Sequence, residues 1–135
     1  MKVFRKKNFD SNLFFFYHLF RFDKDVKQWK ERGVGDIKIL NHQAKNTFRV
    51  LLRRDQVHKI ACNHYISIDQ KLEPMQSSET ALTWLAIDFS EDEINGITEK
   101  LAVRFKLAET KDEFKKVFEE SQDKLKNPPP TQVCD

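Results

Sequence analysis

Residues 101–130, LAVRFKLAETKDEFKKVFEESQDKLKNPPP, change their hydrophobic period partway along, and that change decides the fold. Residues 101–106 read as a short strand rich in Leu, Val and Phe. Beyond them Phe114, Val117, Phe118 and Leu125 fall on one stripe of an amphipathic helix. Thr110 is placed to cap that helix, and Asp112 and Glu113 suit the positive end of its dipole. Lys124 and Lys126 suit the negative end, and the prolines at 128–130 stop it.

Upstream the pattern is that of strands. Ile37 and Ile39 flank Lys38, and Phe48, Val50 and Leu52 alternate with Arg49, Leu51 and Arg53, the period of half-buried strands. Residues 13–22, 57–61, 65–68 and 84–89 are further apolar candidates, giving about seven short strands with 36–40, 48–53 and 101–106. Residues 23–28 read as a loop, and Gly33 and Gly35 as punctuation after it. The expected fold is mainly β with one C-terminal helix: a partly open barrel capped by that helix.

The totals fit this. The chain has 135 residues, 39% hydrophobic and 33% charged, enough for one soluble domain and too few for two. Residues 13–126 are expected to form it. Residues 1–12 are expected to be a flexible basic segment before it, and residues 127–135 a disordered proline-rich tail. Three glycines leave no room for a glycine-rich phosphate loop, and a net charge of +3 gives no general case for DNA. Cys62 and Cys134 lie far apart, the pattern of reduced thiols in an intracellular chain. No apolar run reaches membrane-spanning length. Lys2, Arg5, Lys6 and Lys7 precede the apolar run 13–20, but His18 interrupts it and no small-residue cleavage site follows, so a signal peptide is not expected.

Little in the sequence suggests an enzyme. Cys62, His64 and His58 are spaced so that a metal site or a Cys/His pair can be imagined, but no second cluster supplies further ligands. Cys62 is better read as a core thiol. Glu91, Asp92 and Glu93 read as a solvated acidic loop, because nothing nearby would dry them. No metal or cofactor is expected. The bases Lys38, Arg49, Arg53, Arg54 and Lys59 lie on or beside neighbouring strand candidates. They form either an ordinary solvated face or a patch for carboxylates.

The run 29–40, Trp-Lys-Glu-Arg-Gly-Val-Gly-Asp-Ile-Lys-Ile-Leu, resembles the Ran-binding-domain signature W-K-E-R-G-x-G-x-x-K-I-L. Three more blocks follow in that family's order. Residues 52–57 resemble its double-arginine strand end, and residues 59–64 its K-I-C-A-N-H block with Ala and Cys exchanged. Residues 101–106, 114–116 and 118–120 resemble its last strand and helix. The resemblance covers about residues 21–125, and within the family it is strongest to the repeated domains of the giant Ran-binding nucleoporin.

The resemblance implies a pleckstrin-homology-like fold and a non-catalytic module that binds the small GTPase Ran in its GTP form. It implies that Ran's acidic C-terminal tail meets a basic patch, for which Lys38, Arg49, Arg53, Arg54 and Lys59 are the candidates. Trp29, Lys30, Glu31, Arg32, Gly33 and Gly35 of the signature complete the expected partner-binding set, with Asp55, Gln56, Asn63 and His64. For Trp29 a core anchor is an equal reading. The glycines are expected to allow a bend. Such a module favours hydrolysis by the Ran GTPase-activating protein and release of transport receptors. Its place would be the cytoplasm and the nuclear pore, as a monomer.

This sequence departs from the family at its start. Phe16-Tyr17-His18 stands where an R-A-K triplet is expected, and residues 1–12 hold one acid, Asp10, where the family has an acidic arm. The loss of that arm is expected to slow association. The alternative reading is a pleckstrin-like module for anionic lipid or acidic peptide, resting on Lys24, Lys27, Lys30 and Arg32 and the basic N-terminus.

Overall fold

The apolar alternation does generate a sheet, and its two halves share one long strand. The computed structural model describes residues 2–6, 9–54 and 59–128, with side chains from residue 17 onward. Its strands are β1 (Lys2–Lys6), β2 (Phe9–Asp23), β3 (Gln28–His42), β4 (Thr47–Arg54), β5 (Ile60–Tyr65), β6 (Glu73–Met75), β7 (Ser78–Asp88) and β8 (Ile97–Arg104), followed by α1 (Ala108–Lys126). They form one antiparallel sheet in the order β5-β4-β3-β2-β8-β7-β6, with β1 also paired to β2. The fold is mainly β with one C-terminal helix, as the periods imply.

Strand β2 holds the sheet together, pairing β3 along its length and β8 over His18 to Arg21. Register shifts after Phe14 and after Leu19 bend the β2–β3 ladder. The far ends of the sheet then meet: Phe89 N–H donates to the Asn63 carbonyl at 2.8 Å, joining the end of β7 to β5. Inside lie Tyr17, Leu19, Ile37, Ile39, Val50, Leu52, Leu101 and Val103, all essentially water-free.

The helix closes the core with aromatic side chains. Phe114 and Phe118 are fully buried, and both pack on Trp84, at centroid distances of 5.9 and 6.2 Å. Phe114 also lies 5.3 Å from Phe105. Asn46 donates to the Lys124 carbonyl at 3.1 Å, tying the helix end to the β3–β4 turn.

Several boundaries differ from the sequence reading. The helix begins at Ala108 with Leu107 as an extended N-cap that makes no side-chain bond, so Thr110 lies inside and does not cap it. Glu109 is the acid of the first turn, because good helix formers precede Thr110. Of the expected strands 57–61 and 65–68, residues 57 and 58 lie outside the described residues, and residues 66–68 are not strand. One strand, β5, runs through the buried Ala61, Cys62 and His64. Strand β6 escaped notice because it is three residues long and contains Pro74. Gly33 and Gly35 do not break a strand; both lie within β3, and neither has positive φ. Backbone pairing also reaches into residues 1–12 through β1 and the start of β2. The tail 129–135, with Cys134, lies outside the described residues.

His64 and Trp84 share the core's main polar contact. Trp84 Nε1–H donates to His64 Nε2 at 2.9 Å, and His64 Nδ1 faces the Tyr65 carbonyl at 3.0 Å. That pair fixes a neutral imidazole protonated on Nδ1, and burial lowers its pKa. The unfolded chain therefore binds a proton near pH 6.5 that the folded chain resists. Stability is expected to fall as pH drops below about 6.5, by up to about 1.4 kcal/mol per pH unit for this one group. Thermal melts at pH 7.5, 6.5 and 5.5 check this, and His64→Gln is expected to flatten the slope.

Candidate functional site

The side chains of the signature segment fall into three different environments. The first is a buried ion network. Leu19 pairs with Gly33 while Phe20 pairs with Glu31, which leaves Arg32 as the extra residue of a bulge on β3. Its side chain, only 7% exposed, reaches the end of β7 and the loop after it. Arg32 Nη2 donates to Asp88 Oδ2 at 3.2 Å and to Ser90 Oγ at 2.8 Å, and pairs with Glu91 at 3.2 Å. Glu99 on β8 stands 3.8 Å from Nη1 and takes Arg21 at 3.4 Å. Burial pushes the Glu99 carboxyl up, although Arg21 and Arg32 oppose the shift. Asp88 Oδ1 accepts the Asn63 N–H at 2.7 Å, so the network also fastens β5. Arg32 is thereby a structural cation rather than an available one. Glu91 is not a purely solvated acid either.

The second environment is the β2–β3 hairpin. Trp29 is half-buried, edge-on to Phe22 at 5.3 Å, and Lys100 lies 5.8 Å from the centroid of each ring. Lys30 pairs with Asp23 at 3.0 Å. Glu31 pairs with His18 at 2.8 Å. Of the four bases behind the lipid reading, Arg32 is buried and Lys30 is paired, while Lys24 and Lys27 are exposed in the turn. Gly33 is required for close approach: a Cβ there would lie 2.9 Å from Arg54 Cγ and 3.2 Å from Ala61 Cβ. Where the R-A-K triplet is replaced, Tyr17 points inward against Phe105 and its hydroxyl has no hydrogen-bond partner. Burial raises that phenol's pKa.

The third environment is the outer face of β3, β4 and β5, and it gathers the basic side chains. Lys38 lies opposite Leu51, which lies opposite Asn63. Arg49 sits between Leu40 and Tyr65, and Arg53 between Asp36 and Ile60. Ile37, Ile39, Val50 and Leu52 fill the core from the same strands, so the face carrying Lys38, Arg49 and Arg53 is the outer one. Asp36 directly across from Arg53 is the one carboxylate among these rows.

Some expected members stand elsewhere. Arg54 follows Arg53 and so points to the opposite face, lying along Gly33 with its Nε buried and without a partner. Lys59 is exposed at the entry to β5, and its carbonyl accepts the Arg54 N–H at 2.8 Å. His64 is a core residue. Asp55 and Gln56, with His58, lie outside the described residues. Among the described residues no group of three or more His, Cys, Asp or Glu is placed to hold a metal ion. No helix among them is long and apolar enough to cross a membrane. An array of guanidinium and ammonium groups on neighbouring strands can bind carboxylates of an extended chain.

The sequence reading missed Asp88, Ser90 and Glu99, whose roles depend on Arg32 lying 56 residues before Asp88. Removing Arg32 leaves Asp88 buried without its cation and Glu99 with Arg21 alone. Arg32→Ala is expected to destabilise the fold by about 3–5 kcal/mol, measured by urea denaturation, whereas Lys30→Ala should change the midpoint little.

The family model described as "RanBP1 domain" matches residues 10–124. The chain is 54% identical over 107 residues to the protein "E3 SUMO-protein ligase RanBP2" of Homo sapiens, a match spanning 79% of this chain and 3% of that protein. It is 49% identical over 104 residues to "RANBP2-like and GRIP domain-containing protein 1" of Homo sapiens, spanning 77% of this chain and 6% of that one. Among solved structures, the Ran binding domain of Nup2 from Ashbya gossypii superposes with a TM-score of 0.68 over 84% of this chain and 96% of its own, at 23% identity. The Dm DCP1 EVH1 domain superposes at 0.61 over 83% of this chain and 75% of its own, with 11% identity. At those identities the two structural likenesses concern the fold.

Proposed function

The chain belongs to the RanBP1-domain family, and from that membership we propose that it is a non-catalytic module that binds Ran. The observation that carries the reading is the outer face of β3–β5, where Lys38, Arg49 and Arg53 stand in neighbouring rows. We infer that this face takes the acidic C-terminal tail of GTP-loaded Ran. Carboxylates of an extended acidic segment can meet bases on neighbouring strands, and the bidentate fork of Arg suits them best.

Selectivity for the GTP form follows if the tail is accessible only in that form, since a ligand shifts an equilibrium by its differential affinity. Holding the tail would then favour hydrolysis by the Ran GTPase-activating protein and release of transport receptors, with the module supplying binding energy and no catalytic group. Action in nucleocytoplasmic transport, at the nuclear pore and in the cytoplasm, belongs to this proposal. The signature segment serves mainly to hold the β2–β3 hairpin and the seam beneath the face. Trp29, Lys30 and Glu31 are the members left with exposed surface for Ran itself.

The paired reversal Arg49→Glu with Arg53→Glu tests the assignment by titration against Ran loaded with a non-hydrolysable GTP analogue. Charge-assisted bonds contribute about 1.5–3 kcal/mol each, so affinity is expected to fall about 100-fold or more. The reversal Lys24→Glu with Lys27→Glu on the hairpin turn should leave it nearly unchanged. Unaltered affinity in the Arg49/Arg53 variant would remove this face from the site.

A further inference from the structure

We propose that Ser90 is a phosphorylation site for an acidophilic serine/threonine kinase, and that the phosphate unfastens the seam between β5 and β7. This stands apart from the reading of the Ran face and needs no partner for its test.

Local sequence supplies the recognition. Ser90 is followed by Glu91, Asp92 and Glu93, the acidic run on the C-terminal side that such kinases read. The loop from 89 to 96 presents this run on the surface. Asp92 Oδ1 accepts the N–H groups of Ile94 and Asn95 at 3.1 and 3.0 Å, and its carbonyl accepts Gly96 N–H at 3.1 Å. That self-contained turn leaves Glu91 61% exposed and Glu93 exposed on either side of Asp92.

The surroundings of the hydroxyl supply the consequence. Ser90 Oγ accepts from Arg32 Nη2 at 2.8 Å and donates to Asp88 Oδ2, so it sits between the cation and the buried carboxylate. The Arg32 side chain is 7% exposed, and its Nη1, 3.8 Å from the Glu99 carboxylate, makes no hydrogen bond, so the guanidinium has donor capacity left for added oxygens. In the transfer, Ser90 Oγ attacks the γ-phosphorus of a nucleoside triphosphate held by the kinase. The Oγ–P bond forms as the β–γ bridging P–O bond breaks. Nucleoside diphosphate leaves, and the hydroxyl proton passes to the kinase's base.

The product changes three contacts together. The O–H that donated to Asp88 is gone. A charge of about −1.5 to −2 now faces the carboxylates of Asp88 and Glu91. Arg32 pairs with phosphate oxygens in preference to a single carboxylate oxygen. Asp88 thus loses both groups that hold Oδ2, while its Oδ1 is the acceptor for Asn63 N–H on β5. Loss of that clasp opens the seam and leaves the rest of the sheet's ladder intact.

The purified chain incubated with ATP and a casein-kinase-class enzyme gives the test. Fragment mass mapping is expected to place one phosphate on Ser90, absent in Ser90→Ala. The phosphorylated chain is expected to melt about 5 °C lower or more, with amide exchange at Asn63 accelerated at least about tenfold. No phosphate on Ser90 in the folded chain would overturn the site. Phosphate on Ser90 with melting and Asn63 exchange unchanged would overturn the seam mechanism.

Discussion

The Arg32 guanidinium sits almost out of water with Asp88, Glu91 and Glu99 around it, and β3, β7, β8 and the loop after β7 must all be in place for that arrangement to exist. An isolated buried charge costs several kcal/mol, so the network does little for net stability when complete and much harm when one member is lost. What the network does is join elements far apart in the sequence. Asp88 reaches across to the Asn63 N–H, and the adjacent Phe89 N–H reaches the Asn63 carbonyl, so the sheet is closed at the place the network is built. Asn63 in turn stands in the row of Lys38 and Leu51 on the outer face. The proposed binding face is therefore anchored from beneath by charges that a partner never meets.

This arrangement separates two uses of arginine within one sheet. Arg32, from the signature, is spent on the fold. Arg49 and Arg53 lie on the outer face of β4, on the side opposite the dry interior of Ile37, Val50 and Leu52. The same division applies to the neighbouring block: Asn63 faces outward on β5, and the next residue, His64, is sealed against Trp84. Alternation in a strand makes this unavoidable, since adjacent residues go to opposite faces.

The fold was largely legible in the sequence. The Phe114, Val117, Phe118 stripe marked the helix, and the Phe48, Val50, Leu52 alternation gave both the core of β4 and the outward direction of Arg49 and Arg53. Period alone also implies that Arg53 and Arg54 cannot share a face, a consequence the grouping of five bases overlooked. The Arg32 network was not legible, because Asp88 and Ser90 lie 56 and 58 residues from it and nothing local signals the pairing. The role of Gly33 was hidden for the same reason: its constraint is the stem of Arg54 on another strand, not a turn of its own backbone. In the N-terminal departure from the family, Tyr17 still fills the core and His18 still finds Glu31, so the strand survives a change of triplet that the motif alone would count as a loss.

If the basic outer face recognises an acidic tail that Ran exposes with GTP bound, affinity must depend on both nucleotide and salt. Titration calorimetry of the chain against Ran carrying a non-hydrolysable GTP analogue and against Ran carrying GDP, each at low and high salt, tests it most directly. Binding to the GTP form alone is expected, weakening as salt rises because surface charge pairs are screened. Equal affinity for the two forms, or affinity indifferent to salt, would contradict it.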